Sequence, residues 1–337
     1  MRVRQIIWAI ILVGLAVFPG LHCFISSDDS DGTPSPTGLL YVLDRANDSV
    51  YIYDNLNTIT GSVSPDRTIT GSNTDIQNSV ALAVDYVRDI LYVADNTAAS
   101  QAILTFLPAS TTTGDATPNR QYTGFTQADA LYYDATNDIL YLADIVSQAI
   151  YAWDDIATLP NNSGPTRTIL LGYIPSTLAV DATHNILYVA QPLAQQVNLY
   201  SSASEISNLT NVILPTQSFT NSTTPFANMP GMAVNGLNNI LYVSDSNSKS
   251  IEIFDNANSM SGPEAPPREL AGSSTGFTVN QGEVVLQNNT LYIIQSLTGI
   301  GIWGNANQVT GDTAPDRSLT IAPASQIVGI GIDLTRS

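Results

Sequence analysis

Acidic and amide side chains recur along this chain at spacings that could bring oxygen ligands around one point. Asp85, Asp134, Asp181 and Asp333, with Asn235 and Gln287 in two related places, each follow a short apolar run. Gathered from separate elements, Asp85, Asp134, Asp181 and Asn235 would suit a hard cation such as calcium, which takes about six to eight oxygens. The same residues have a local use. An Asx side chain accepts backbone N–H groups just downstream, and Asp134-Ala-Thr-Asn-Asp138 and Asp181-Ala-Thr-His-Asn185 have the composition of such turns. His184 lies within one of them, where it is expected to be exposed. Repetition of the slot favours turn capping, so no cofactor is expected, with calcium as the alternative.

A second acidic set, Asp44, Asp95, Asp144 and Asp245, gives way to Gln191 and Gln295 in two places. Set against it is a Pro-x-Arg element: Pro65-Asp66-Arg67, Pro118-Asn119-Arg120, Pro165-Thr166-Arg167, Pro266-Pro267-Arg268 and Pro315-Asp316-Arg317. Five of the 11 basic residues thus share one slot. They could form an anion-binding ring, or each could join strands through carboxylates and carbonyls. Regular repetition favours the joining role, because a binding site needs asymmetry.

Several functions are disfavoured at once. Eleven Lys and Arg against 29 Asp and Glu give a net charge of -18, which phosphate backbones would repel, so no nucleic-acid partner is expected. A single cysteine allows no internal disulfide, and two histidines allow no multi-histidine zinc site. No Gly-rich phosphate loop or nucleophile elbow is visible.

The elements that must position these residues are short strands. The apolar triplet recurs as Leu40-Tyr41-Val42, Leu91-Tyr92-Val93, Leu140-Tyr141-Leu142, Leu187-Tyr188-Val189, Leu241-Tyr242-Val243 and Leu291-Tyr292-Ile293, with leucines 51, 49, 47, 54 and 50 residues apart. Gly, Pro, Asn and Ser break every gap, so no long helix fits. Each unit carries four strand-like runs, as in Ala81–Asp85, Ile90–Asp95, Ala102–Phe106 and Arg120–Thr123. The central runs are apolar on both faces, which implies sheets stacked face to face. This pattern predicts an all-β, six-bladed β-propeller of four-stranded antiparallel blades over residues 38–337. The first unit lacks an innermost strand, and residues 326–334 look like one without a blade. They are therefore expected to complete blade one and close the ring.

The chain resembles the NHL-type six-bladed propellers. Leu82-Ala83-Val84-Asp85 with Leu91–Asp95, Leu178-Ala179-Val180-Asp181 and Ile251-Glu252-Ile253-Phe254 carry that resemblance. It implies a scaffold whose relatives include sensor domains, interaction platforms, RNA binders and a few metal-dependent lyases or lactonases. The resemblance thus also implies an alternative function, a calcium-type hydrolase or lactonase with its site in the channel.

Blade four departs most from the repeat. It has the longest spacing, Gln191-Pro192 in place of the Asp, no Pro-x-Arg but Thr216-Gln217-Ser218 instead, and the insert Phe219 to Pro230. Loops on rigid scaffolds carry function, so Phe219, Asn221, Phe226 and Asn228 are the expected contact residues. Trp153 and Trp303 share a third-strand slot and are expected to pack between blades.

The N-terminus reads as an address. Arg2 and Arg4 precede the apolar run Ile6–Phe18, then Pro19 and Gly20, as in a bacterial export signal. Cys23 follows, and residues 24–37 form an acidic, Pro/Ser-rich tether. The placement of Cys23 resembles that of the lipidated cysteine of bacterial lipoproteins, although Gly20 and His22 occupy slots where lipoproteins usually carry Leu and a small residue. Cleaved secretion and an uncleaved anchor are the alternatives. The whole points to a non-catalytic envelope propeller that binds a protein or glycan through its loop faces and meets a membrane only through its N-terminus.

Overall fold

The computed structural model describes residues 36–98 and 101–337. The expected export signal of residues 1–23, Cys23 and most of the expected tether of residues 24–37 lie outside the described residues.

Six antiparallel sheets stand around a central channel. Blade two shows the plan: Ser79–Asp85 is innermost, followed outward by Ile90–Asp95, Ala102–Phe106 and Arg120–Tyr122. The second strands are buried along their length because sheets pack on both sides of them, which is why their sequence is almost continuously apolar. All six triplet tyrosines are buried, and hydrophobic clusters join each blade to its neighbour. Trp153 and Trp303 occupy the same third-strand register and are fully buried in two of these clusters, as expected.

Ring closure follows the expectation. Ile327–Asp333 pairs antiparallel with Leu39–Asp44, placing Leu39 opposite Asp333 and Val42 opposite Ile330. Blade one is thus built from both ends of the propeller.

Two sheets hold a fifth strand that the sequence pattern did not announce. Gly262–Glu264 of blade five pairs in parallel with Gln217–Asn221 of blade four, and Gly61–Val63 of blade one does the same with Arg317–Ile321 of blade six. Single parallel bridges link the other blades: Ile69 to Gly114, Tyr122 to Ser163, Ile169 to Asn208 and Leu270 to Gly311. The loop before each outer strand therefore reaches back to the preceding blade and covers part of its edge. Gly61, Gly114, Gly262 and Gly311 lie four residues before the repeat proline and have φ of +77°, +73°, +74° and +70°. Glycine adopts that left-handed backbone without the penalty a Cβ would add. The repeat is better written Gly-x-x-x-Pro-x-Arg.

Candidate functional site

The innermost-strand carboxylates are held by their own turns. Asp85 accepts the amides of Val87 and Arg88 at 2.9 Å each, and Asp134 those of Thr136 and Asn137 at 2.9 and 3.3 Å. Asp181 accepts Thr183 and His184 amides at 2.9 and 3.0 Å, while the His184 ring lies 2.7 Å from its second oxygen. His184 itself is exposed. Asn235 caps Asn238 and donates to the Asn307 side chain. Among the described residues, no group of three or more His, Cys, Asp or Glu side chains is placed to hold a metal ion.

The second acidic set clips each blade to the segment that enters it. Asp144 accepts four amides, Thr126 and Gln127 from the incoming crossover and Val146 and Ser147 from its own turn, at 2.6, 3.2, 2.9 and 2.8 Å. Asp95 and Asp245 repeat this pattern, and Asp44 accepts from Ser325 and Gln326, so it also fastens the closing strand.

The repeat arginines meet neither of these sets. Arg67, Arg167 and Arg268 pair with Asp54, Asp154 and Asp255 at the ends of the third strands, 2.6 to 2.7 Å away. Arg120, Arg167, Arg268 and Arg317 also donate to carbonyls of the following blade, at Ala157, Ala203 and Ile206, Asn307, and Leu56 respectively. They join blades rather than ring an anion. The middle residue of the element has a task as well. Asp66, Asn119, Thr166, Thr216 and Asp316 each accept the amide that ends the third strand. Blade four therefore keeps the element as Pro215-Thr216-Gln217, with Gln217 in the arginine slot, correcting the Thr216-Gln217-Ser218 placement.

Blade four requires two further corrections. Phe219 and Phe226 are not available for contact: they are 1% and 0% exposed and pack edge-on with Phe254, at centroid distances of 5.0 and 6.0 Å. Asn221 is buried and caps Thr223 and Thr224, and Asn228 is exposed but donates to Ser246. The segment from Phe219 to Asn221 is the outer strand itself, not an insert. From the arginine slot to the next second strand, blade four spans 23 residues (Gln217 to Ile240), as blade one does (Arg67 to Ile90). The length peculiar to blade four lies earlier: Ser201 to Gln217 is 16 residues, where Asp154 to Arg167 is 13. On that longer loop Leu209, Val212 and Leu214 are 74%, 51% and 81% exposed, while Ile206 and Ile213 pack partly against the core.

A cavity of about 170 Å³ occupies the channel, lined by Leu82, Val84, Leu131, Met232 and Val285 and by two carboxylates, Asp129 and Glu283. Neither carboxylate was singled out in the sequence. Asp129 stands at a bulge: Ala143 pairs with Ala130 and Asp144 with Ala128, leaving it unpaired and directed to the channel mouth. Val80 and Val328 hold the matching bulge positions in blades two and one. Asp129 is exposed, but the surrounding channel wall limits its hydration and pushes it up to about 6, with Arg45 opposing. Glu283 accepts the Ile330 amide at 2.7 Å, and its burial raises it to about 8. The available signal was a charge where the other units carry alkyl or small residues.

No protein-family profile matches the chain. No curated protein matches it either. Solved structures do. A chain from the crystal structure of a nidogen/laminin complex superposes with a TM-score of 0.60 at 13% identity, over 89% of this chain and 99% of that one. A functionally unknown protein from Desulfotomaculum acetoxidans DSM 771 gives 0.54 at 13% identity, over 84% of this chain and 80% of that one. At such identity the likeness is one of fold.

Proposed function

We propose that this is a non-catalytic binding propeller of the NHL type that engages a protein partner in the bacterial envelope. The observation that carries the reading is the longer loop of blade four, which exposes Leu209, Val212 and Leu214 in a chain whose repeat carboxylates and arginines are occupied by the scaffold. Exposed apolar side chains grouped on one loop are what a partner can desolvate. No aromatic residue is among the large exposed apolar side chains of the described residues, which favours a protein over a glycan stacked on rings. All eight described arginines donate to the protein, and the net charge of -18 suits a partner with a basic rim. A propeller of similar fold belongs to a nidogen/laminin complex, which accords with a role in protein binding.

The test is affinity capture from envelope extract with the wild type and the double variant Leu209→Ser, Leu214→Ser. A protein recovered by the wild type and lost in the variant supports the reading, and identical recoveries sink it. Export and lipid attachment at Cys23 belong to the same proposal. They are tested by radiolabelled palmitate, which should mark the wild type and not Cys23→Ala.

A further inference from the structure

The repeat is broken at two channel positions, and both breaks are acidic. In register, the Asp129 slot is Val80, Ser176, Pro230, Gly282 and Val328 in the other blades, and the Glu283 slot is Ala81, Ala130, Thr177, Gly231 and Gly329. Asp129 belongs to blade three and Glu283 to blade six, on opposite sides of a six-membered ring. A third polar group joins them. Thr177 of blade four is 5% exposed and lines the same cavity, and its hydroxyl has no hydrogen-bond partner among the described residues. Asp129 likewise accepts no hydrogen bond there, and Glu283 uses one oxygen on Ile330, leaving the other free. A buried hydroxyl without a partner, as at Thr177, is costly unless something in the cavity bonds to it, while Asp129 stands exposed at the mouth with its charge unpaired.

We propose that the channel is a binding site for a small primary ammonium compound, held by Asp129, Thr177 and the free oxygen of Glu283, with its alkyl part against Leu82, Leu131 and Met232. An ammonium carries three donors, which suit the Asp129 carboxylate, the Thr177 hydroxyl and a Glu283 carboxyl that the bound cation would hold in its ionised form. Leu82, Leu131 and Met232 supply an apolar stretch in a wall that also carries Tyr86, Tyr132, Tyr133 and Gln287, so the ligand is amphipathic. A calcium ion fits poorly, because it requires about six to eight oxygen ligands and this wall offers few. The inference is independent of the protein-binding loop, which lies on the rim of blade four.

The experiment titrates the full chain with n-butylamine hydrochloride by calorimetry, with 1-butanol and calcium chloride as comparison probes. The expected result is saturable one-to-one binding of butylammonium, weakened about tenfold or more in Asp129→Asn by loss of a charge-assisted hydrogen bond. Thr177→Val should weaken it severalfold. In parallel, methyl resonances of Leu82, Leu131 and Met232 in the wild type should shift with the titration, a readout that needs no variant to fold. No saturation, unshifted methyls, or equal affinity in both variants overturns the proposal. So does butanol binding as well as butylammonium, which would mark a merely apolar cavity. Calcium binding that Asp129→Asn abolishes would assign the site to a metal instead.

Discussion

Glu283 of blade six accepts the backbone amide of Ile330, a residue of the strand that completes blade one, at 2.7 Å. A side chain on one side of the closure seam thus holds the strand on the other. Gly329 beside it lets blade two come close, since a Cβ there would stand 3.2 Å from the Leu82 amide nitrogen.

The seam should soften as pH rises. Burial raises Glu283 from 4.5 to about 8, so between those values the folded chain binds a proton that the unfolded chain has released. Its contribution is complete below the unfolded value and is lost as pH climbs through the folded one. Urea unfolding from mildly acidic to alkaline pH should show this decline in the wild type. Glu283→Gln, which keeps an acceptor for Ile330, should lack that part of it. Identical pH profiles would refute the assignment.

Arg167 should matter more to stability than Arg67. Arg167 is a tenth exposed, meets Asp154 and reaches two carbonyls of the next blade, whereas Arg67 is about twice as exposed and meets Asp54 alone. Arg167→Ala is expected to cost about 3 kcal/mol, and Arg67→Ala about 1 kcal/mol. Chemical denaturation of both variants compares them directly, and equal losses would contradict the inter-blade role.

Asp144 is a four-amide clip, and Asp144→Ala should cost about 3 kcal/mol or more by leaving buried N–H groups unpartnered. Asp144→Asn should recover part of this, since one carboxamide oxygen can still accept. A chelator should leave the wild-type thermal midpoint unmoved, because Asp85, Asp134 and Asp181 already accept turn amides.

Phe219→Ala should destabilise by about 3 to 5 kcal/mol without selectively affecting partner capture. Leu214→Ser should do the reverse, since Leu214 is 81% exposed. Thermal unfolding alongside the capture assay separates the two roles.

The contrast shows what sequence could convey. Period, strand type and closure were legible because six copies of Leu-Tyr-Val average out local noise, and a strand lacking a blade has one place to go. The role of Asp134 was legible because an Asx turn is local. Phe219 misled because a break in the repeat was taken for an insert, when burial in a phenylalanine cluster is fixed by contact with Phe254 on another blade. Asp129 and Glu283 escaped because a bulge and the pairing of Glu283 with Ile294 set their places, and neither is encoded in apolar periodicity. The parallel latches escaped too, since pairing of Gly61–Val63 with Arg317–Ile321 joins segments some 250 residues apart through backbone alone.

The same seam has a consequence for biosynthesis. Its inner fastening, Ile327–Asp333 beside Leu39–Asp44, joins segments synthesised far apart in time. Its outer latch, Gly61–Val63 on Arg317–Ile321, spans nearly as far. A nascent chain can stack blades as they emerge, but blade one stays short of a strand until Asp333 has left the ribosome. Until then Leu39–Asp44 presents an unpaired edge that only a chaperone, or another chain, can cover.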